Sequence, residues 1–130
     1  MSEWRRVAIE LIPELAREIS LTTNRTELWD KLRDEFITAS KSRQTEVCRS
    51  IVKYYRWCVR ESRQPLPNDV QTAAVITFLE RMVRSHDLID LLLKWLSKDE
   101  VLNYAWCVEK SAGVSAVEYI RKHRSGDRLV

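Results

Sequence analysis

Glycine and proline are scarce in this chain: 2 Gly and 3 Pro in 130 residues. A β-sandwich or barrel needs a turn signal roughly every 8–12 residues, so these folds are excluded. Phosphate-binding loops and dinucleotide folds need clustered glycines, whereas Gly113 and Gly126 stand alone. Histidine is equally rare, with His86 and His123 far apart in sequence, and the three cysteines Cys48, Cys58 and Cys107 form no CxxC pair. That pattern gives neither a zinc site nor a disulfide framework, and no metal or cofactor is expected. Reduced thiols fit a cytoplasmic protein.

Long apolar runs are absent too. No stretch approaches the roughly 18–20 uncharged apolar residues of a membrane span. The opening Met1-Ser2-Glu3-Trp4-Arg5-Arg6 leads into an amphipathic run carrying Glu10 and Glu14, unlike the apolar stretch of a secretory leader. What remains is an ordinary globular composition. Hydrophobic residues make up 45% and charged residues 32%, with 22 basic against 19 acidic side chains. Disorder would need lower hydrophobicity and a larger net charge.

Apolar spacing of three and four residues predicts an all-α fold. Trp4, Val7, Ala8, Leu11, Ile12, Leu15, Ala16 and Ile19 form a first stripe that Ser2 can cap. Pro13 within it marks either a kink or the start of a second piece. Asn24 with Glu27 resembles a capping box ahead of Leu28, Trp29, Leu32, Phe36 and Ile37. After the polar stretch 38–46 a third stripe resumes with Val47, Cys48, Ile51, Val52, Tyr55, Cys58 and Val59. Pro65-Leu66-Pro67 interrupts it as a loop, and Asn68 is placed to cap a fourth helix, apolar almost all round, running to Val83. Ser85 or Asp87 opens the next helix. Ser97 with Glu100, and Ser115 with Glu118, read as capping boxes, and Gly113 as a left-handed helix end. The expectation is a single domain over 1–130, a compact bundle or irregular stack of six to seven helices. It would subdivide, if anywhere, at the 62–68 loop, and end in a frayed tail, 125–130.

The polar signal with most structure lies on the third helix. Arg49, Lys53, Arg56, Arg60 and Arg63 fall within roughly 80° of arc, opposite Ile51, Tyr55 and Cys58. Residues 41–64 hold 7 basic and 2 acidic side chains, so the positive charge is concentrated there. Such a stripe suits a nucleic-acid backbone or an acidic protein face, or else is a solvated face matched by acids of neighbouring helices. Of the five tryptophans, Trp4, Trp29 and Trp95 sit on or beside apolar stripes, as core residues do. Trp57 and Trp106 fit their stripes worst and are the candidates for a binding surface.

Catalytic motifs of the HExxH, GxSxG or paired-carboxylate kind are missing. His86 beside Asp87 reads as part of a helix cap. His123 lies among Arg121, Lys122 and Arg124. Cys48 and Cys58 belong to an apolar face, where thiols are unreactive. No enzyme is expected.

Asn68-Asp69-Val70, Phe78-Leu79-Glu80, Trp95-Leu96 and Glu10 to Leu15 (ELIPEL) together touch about half the chain. In these features the sequence resembles a family of small all-helical bacterial proteins of unassigned function. Members of that family occur among candidate immunity proteins of polymorphic toxin systems. Where the family usually has a histidine after its Phe-Leu-Glu unit, this chain has Arg81. The resemblance carries over no catalytic residue. It implies an immunity protein that neutralises a toxin by direct binding. The alternative is a nucleic-acid-binding protein using the basic face. The residues expected to carry either role are Arg49, Lys53, Arg56, Trp57, Arg60, Arg63 and Trp106.

Overall fold

The computed structural model describes residues 2–61 and 73–123. The Pro65–Pro67 loop, the Asn68 cap, the 62–68 stretch and the tail lie outside the described residues. The protein is all-helical, with no strand among the described residues. The chain divides into two compact units, residues 1–78 and 79–130.

The first unit holds α1 (Glu3–Leu11), α2 (Ala16–Ser20), α3 (Arg25–Lys41) and α4 (Thr45–Glu61). Pro13 begins a piece rather than kinking one, because it opens a 3-10 turn, Pro13–Leu15, that leads directly into α2. Ser2 stands at the N-terminus of α1 without a side-chain cap; its carbonyl accepts from Arg6 N. Asn24 does cap α3, its Oδ1 accepting from Glu27 N at 2.8 Å. The Glu27 carboxylate instead accepts from the Thr23 hydroxyl at 2.5 Å. With no glycine available between α3 and α4, Arg43 takes the left-handed conformation, φ 60. Gln44 N then reaches back to Ala39 O at 2.8 Å and closes the helix end.

α3 packs on α4, α1 packs on α2 and α4, and α2 touches α3. Their shared centre is aromatic. Trp29, fully buried, stacks on Tyr54 at 5.4 Å and 16° and meets Tyr55 edge-on at 6.0 Å. Phe78 closes this core against Trp29 at 5.3 Å and Phe36 at 5.4 Å. Tyr54 falls outside the apolar stripe read from the sequence, yet it is fully buried. Its hydroxyl donates to Trp4 O at 2.9 Å, which satisfies its polar end and ties α4 to α1.

The fourth helix departs from a regular α-helix. Ala74–Leu79 is a π-helical stretch that continues into α5 (Glu80–Met82). Its residues are buried apart from Ile76, which is 45% exposed.

The second unit continues with α6 (His86–Leu93), α7 (Lys98–Leu102), α8 (Ala105–Ala112) and α9 (Val114–Lys122). Nine α-helical pieces are therefore present among the described residues, more than the six to seven expected. Pro13 splits the first stripe, and the chain between His86 and Lys122 is cut into shorter helices than periodicity suggests. Ser85 caps α6 through Leu88 N at 3.2 Å. Ser97 makes both limbs of its capping box, accepting from Glu100 N at 3.1 Å while Ser97 N donates to Glu100 Oε1 at 3.0 Å. α9 packs on α8, α7 and α6 around Ile89, Leu92, Leu96, Val101, Val108 and Ile120.

The expected Ser115 capping box does not form. Gly113 ends α8, its N–H donating to Glu109 O at 2.8 Å, and at once begins α9. Ser115 is therefore already inside the helix. Gly113 has the positive φ expected of it, but φ 86 with ψ 171 lies in the mirror of extended space rather than in the left-handed helical region. Side chains are strained there, although an added Cβ would meet nothing closer than Ser115 Oγ at 4.0 Å. Gly113→Ala is expected to cost about 1–3 kcal/mol through backbone strain alone. Urea unfolding of this variant tests it, and a midpoint equal to wild type contradicts it.

Candidate functional site

α4 buries Cys48, Ile51, Val52, Tyr54, Tyr55 and Cys58. At 100° per residue this is a wide apolar arc, and Arg49, Lys53, Arg56 and Arg60 lie on the remaining side. Lys53 and Arg60 are exposed, while Arg49 and Arg56 are half-buried. Arg49 ion-pairs with Glu46 of α4's own first turn. Trp57, half-buried, stacks on Tyr54 at 5.9 Å and 13°. Its ring is thus tied to the core aromatics at the margin of the basic face. Arg63 lies outside the described residues.

The other tryptophans sort as their stripes indicate. Trp29 and Trp95 are buried, and Trp4 is half-buried beneath two guanidiniums, Arg5 at 4.9 Å and Arg25 at 5.9 Å from its ring centre. Trp106 is 61% exposed. Its helix, α8, turns Cys107 and Val108 into the core of the second unit and presents Trp106, Glu109 and Lys110 outward. The exposed Val114, at 60%, follows the same helix end.

All three cysteines are buried and unpaired. Burial pushes the Cys58 thiol up to about 12 and raises Cys48 and Cys107 as well. These thiols stay protonated at neutral pH and are poor nucleophiles.

Sequence reading missed one constellation in the second unit. The two histidines, 37 positions apart in sequence, both meet Tyr119 of α9. His86 stacks on the Tyr119 ring at 3.8 Å and 4°, and His123 approaches it at 6.2 Å. Ser85, not His86, is the cap of α6. The Tyr119 hydroxyl donates to Asp90 Oδ1 at 2.7 Å, and His123 Nε2 lies 3.2 Å from the same oxygen. The hydrogen bond to the Asp90 carboxylate, more than burial, holds the Tyr119 phenol above the usual tyrosine range. His123 Nδ1 is enclosed. The imidazole therefore commits one nitrogen to Asp90 and has the other shut off from solvent. That arrangement ties the end of α9 to α6; a proton-transferring histidine needs a nitrogen open to substrate. No group of three or more metal-ligating side chains occurs among the described residues. No described helix is long and apolar enough to cross a membrane.

Comparison of the chain with protein families, with curated proteins and with solved structures finds no match.

Proposed function

We propose that this chain is a non-enzymatic protein-binding domain, of the kind that neutralises a bacterial toxin by direct binding. The observation that carries the reading is Trp106. A tryptophan 61% exposed, on a helix whose core contacts are made by its neighbours, has no packing role that explains it. Exposed tryptophan is the side chain most enriched at binding hot spots, because it buries a large area for few frozen torsions. The basic, tryptophan-edged face of α4 supplies a second surface, suited to acidic groups.

The test is affinity capture from a native lysate, followed by titration of the captured protein. Trp106→Ala is expected to weaken that complex by about 30-fold or more, the equivalent of a 2 kcal/mol hot spot, with thermal stability unchanged. Capture of no protein at micromolar concentration, or equal affinity for wild type and variant, contradicts the proposal.

The second reading, nucleic-acid binding through α4, is favoured by the exposure of Lys53 and Arg60. Filter binding at low salt decides it. Affinity should fall steeply with salt, and reversing both charges should abolish it.

A further inference from the structure

We propose that a furrow along α3 docks a basic, amphipathic helix of the partner protein; this deepens the protein-binding reading above and rests on it. Two adjoining cavities of the first unit, of about 660 and 360 Å³, share Glu27 and Asp30. The larger runs from Trp4 past the start of α3, and the smaller continues past Leu21 and Glu18 to Asp34. Glu27, Asp30 and Asp34 are spaced three and four apart, so they lie along one face of α3 over about 10 Å, or two helical turns.

The lining has the two properties that such an occupant requires. The first is an apolar anchor point. Leu21, 71% exposed, is the most exposed large hydrophobic side chain of the described residues, and it stands within the smaller cavity. The second is negative charge. Glu18, Glu27, Asp30 and Asp34 border the furrow in a chain whose net charge is +3. Two cations line it against these four acids: Lys31, in the smaller cavity, pairs with Glu35 at 3.4 Å, and Arg25, in the larger, lies at the far end against Trp4. Arg33 bridges Asp30 at 3.2 Å and Asp34 at 2.9 Å, and its own side chain is only 15% exposed. It cancels part of the charge and holds both carboxylates in place, while Asp30 and Asp34 remain 45% and 66% exposed. A carboxylate row beside an exposed leucine complements a helix with lysines flanking an apolar seam. It repels a nucleic-acid backbone.

The probe is a 14-residue helix-forming peptide of leucine and lysine with leucines at helical spacing. Its control has glutamate at every lysine. Titration calorimetry gives the affinity, and backbone amide shifts give the site. The lysine peptide is expected to bind at least tenfold tighter than its control, with the largest shifts at Leu21, Glu27 and Asp34. The double variant Glu27→Gln, Asp34→Asn should weaken it at least tenfold, as should Leu21→Ser, with circular dichroism unchanged.

Equal affinity for both peptides, shifts centred elsewhere, or variants that bind like wild type overturn the proposal. So does a concentration-dependent dimer in sedimentation that the same variants abolish, because the furrow then holds a second copy. If a captured protein depends on Trp106 but is indifferent to Glu27→Gln, Asp34→Asn and Leu21→Ser, the furrow assignment falls while the protein-binding reading stands. If the lysine peptide seats in the furrow and no protein is captured, the protein-binding reading falls and takes the partner helix with it, leaving only a surface that prefers basic helices.

Discussion

Trp29→Ala is expected to lower the stability of the first unit by about 3–5 kcal/mol, the range for emptying a buried large aromatic site. The ring is fully buried and touches Tyr54, Tyr55 and Phe78, which come from α4 and the segment after it. Its removal leaves a void bordered by three rings that cannot all close on it. Each lost ring pair adds about 0.5–1.5 kcal/mol to the loss of buried area. Small domains have about 5–15 kcal/mol in total, so this one substitution removes a large share of the stability. Urea unfolding followed by circular dichroism measures this. Trp29→Phe should retain more of the stability, since it keeps a ring against Tyr54. A loss below about 1 kcal/mol for Trp29→Ala would falsify the assignment of Trp29 as the centre of the core.

Alkaline pH should destabilise the protein through the same core. Burial pushes the Cys58 thiol from its ordinary 9.0 up to about 12, against the smaller opposing effects of Tyr54 and Trp29 beside it. Burial also raises the Tyr54 phenol, and the neighbouring Cys58 adds to this. A group whose pKa is raised by folding stabilises fully below its unfolded value and loses that contribution as pH climbs toward its folded value. The window therefore opens near pH 9 and extends to about 12 for Cys58. Above its own ordinary value, 9.0 for Cys58 and 10.0 for Tyr54, each group lowers stability by about 1.4 kcal/mol per pH unit. The loss attributable to Cys58 is thus on the order of 3 kcal/mol by pH 11. Urea midpoints should show no contribution from these groups between pH 7 and 8.5 and should decline above pH 9. Cys58→Ala and Tyr54→Phe should each flatten the decline. An unchanged slope in both variants would show that other groups drive it.

Much of the local structure is legible in the residues. Asn24, Ser85 and Ser97 cap helices where the sequence places caps, because a cap is a contact between residues three apart and needs nothing from the rest of the chain. The outward face of α4 is equally readable, since Lys53 and Arg60 share an arc that its apolar residues leave free. Ser115 fails as a cap for a reason that is local but not visible in composition. Gly113 alone stands between α8 and α9, so the cap position of α9 falls on a residue with no side chain.

By itself, then, the sequence determined the all-helical class, the capped starts of α3, α6 and α7 and the side of α4 that faces outward. These follow from backbone hydrogen bonding and helical periodicity, which act within one or two turns. Tertiary packing alone decided the rest. Tyr54 is buried only because Trp29 of α3 and Trp4 of α1 arrive against it. His86 and His123 both reach Tyr119 only because α9 packs on α6, which carries His86 and Asp90. The furrow exists only where α3 lies beside the chain that carries Glu18 and Leu21. Each of these is a meeting of distant residues, fixed by which apolar faces pack together, and no spacing along the chain encodes it on its own.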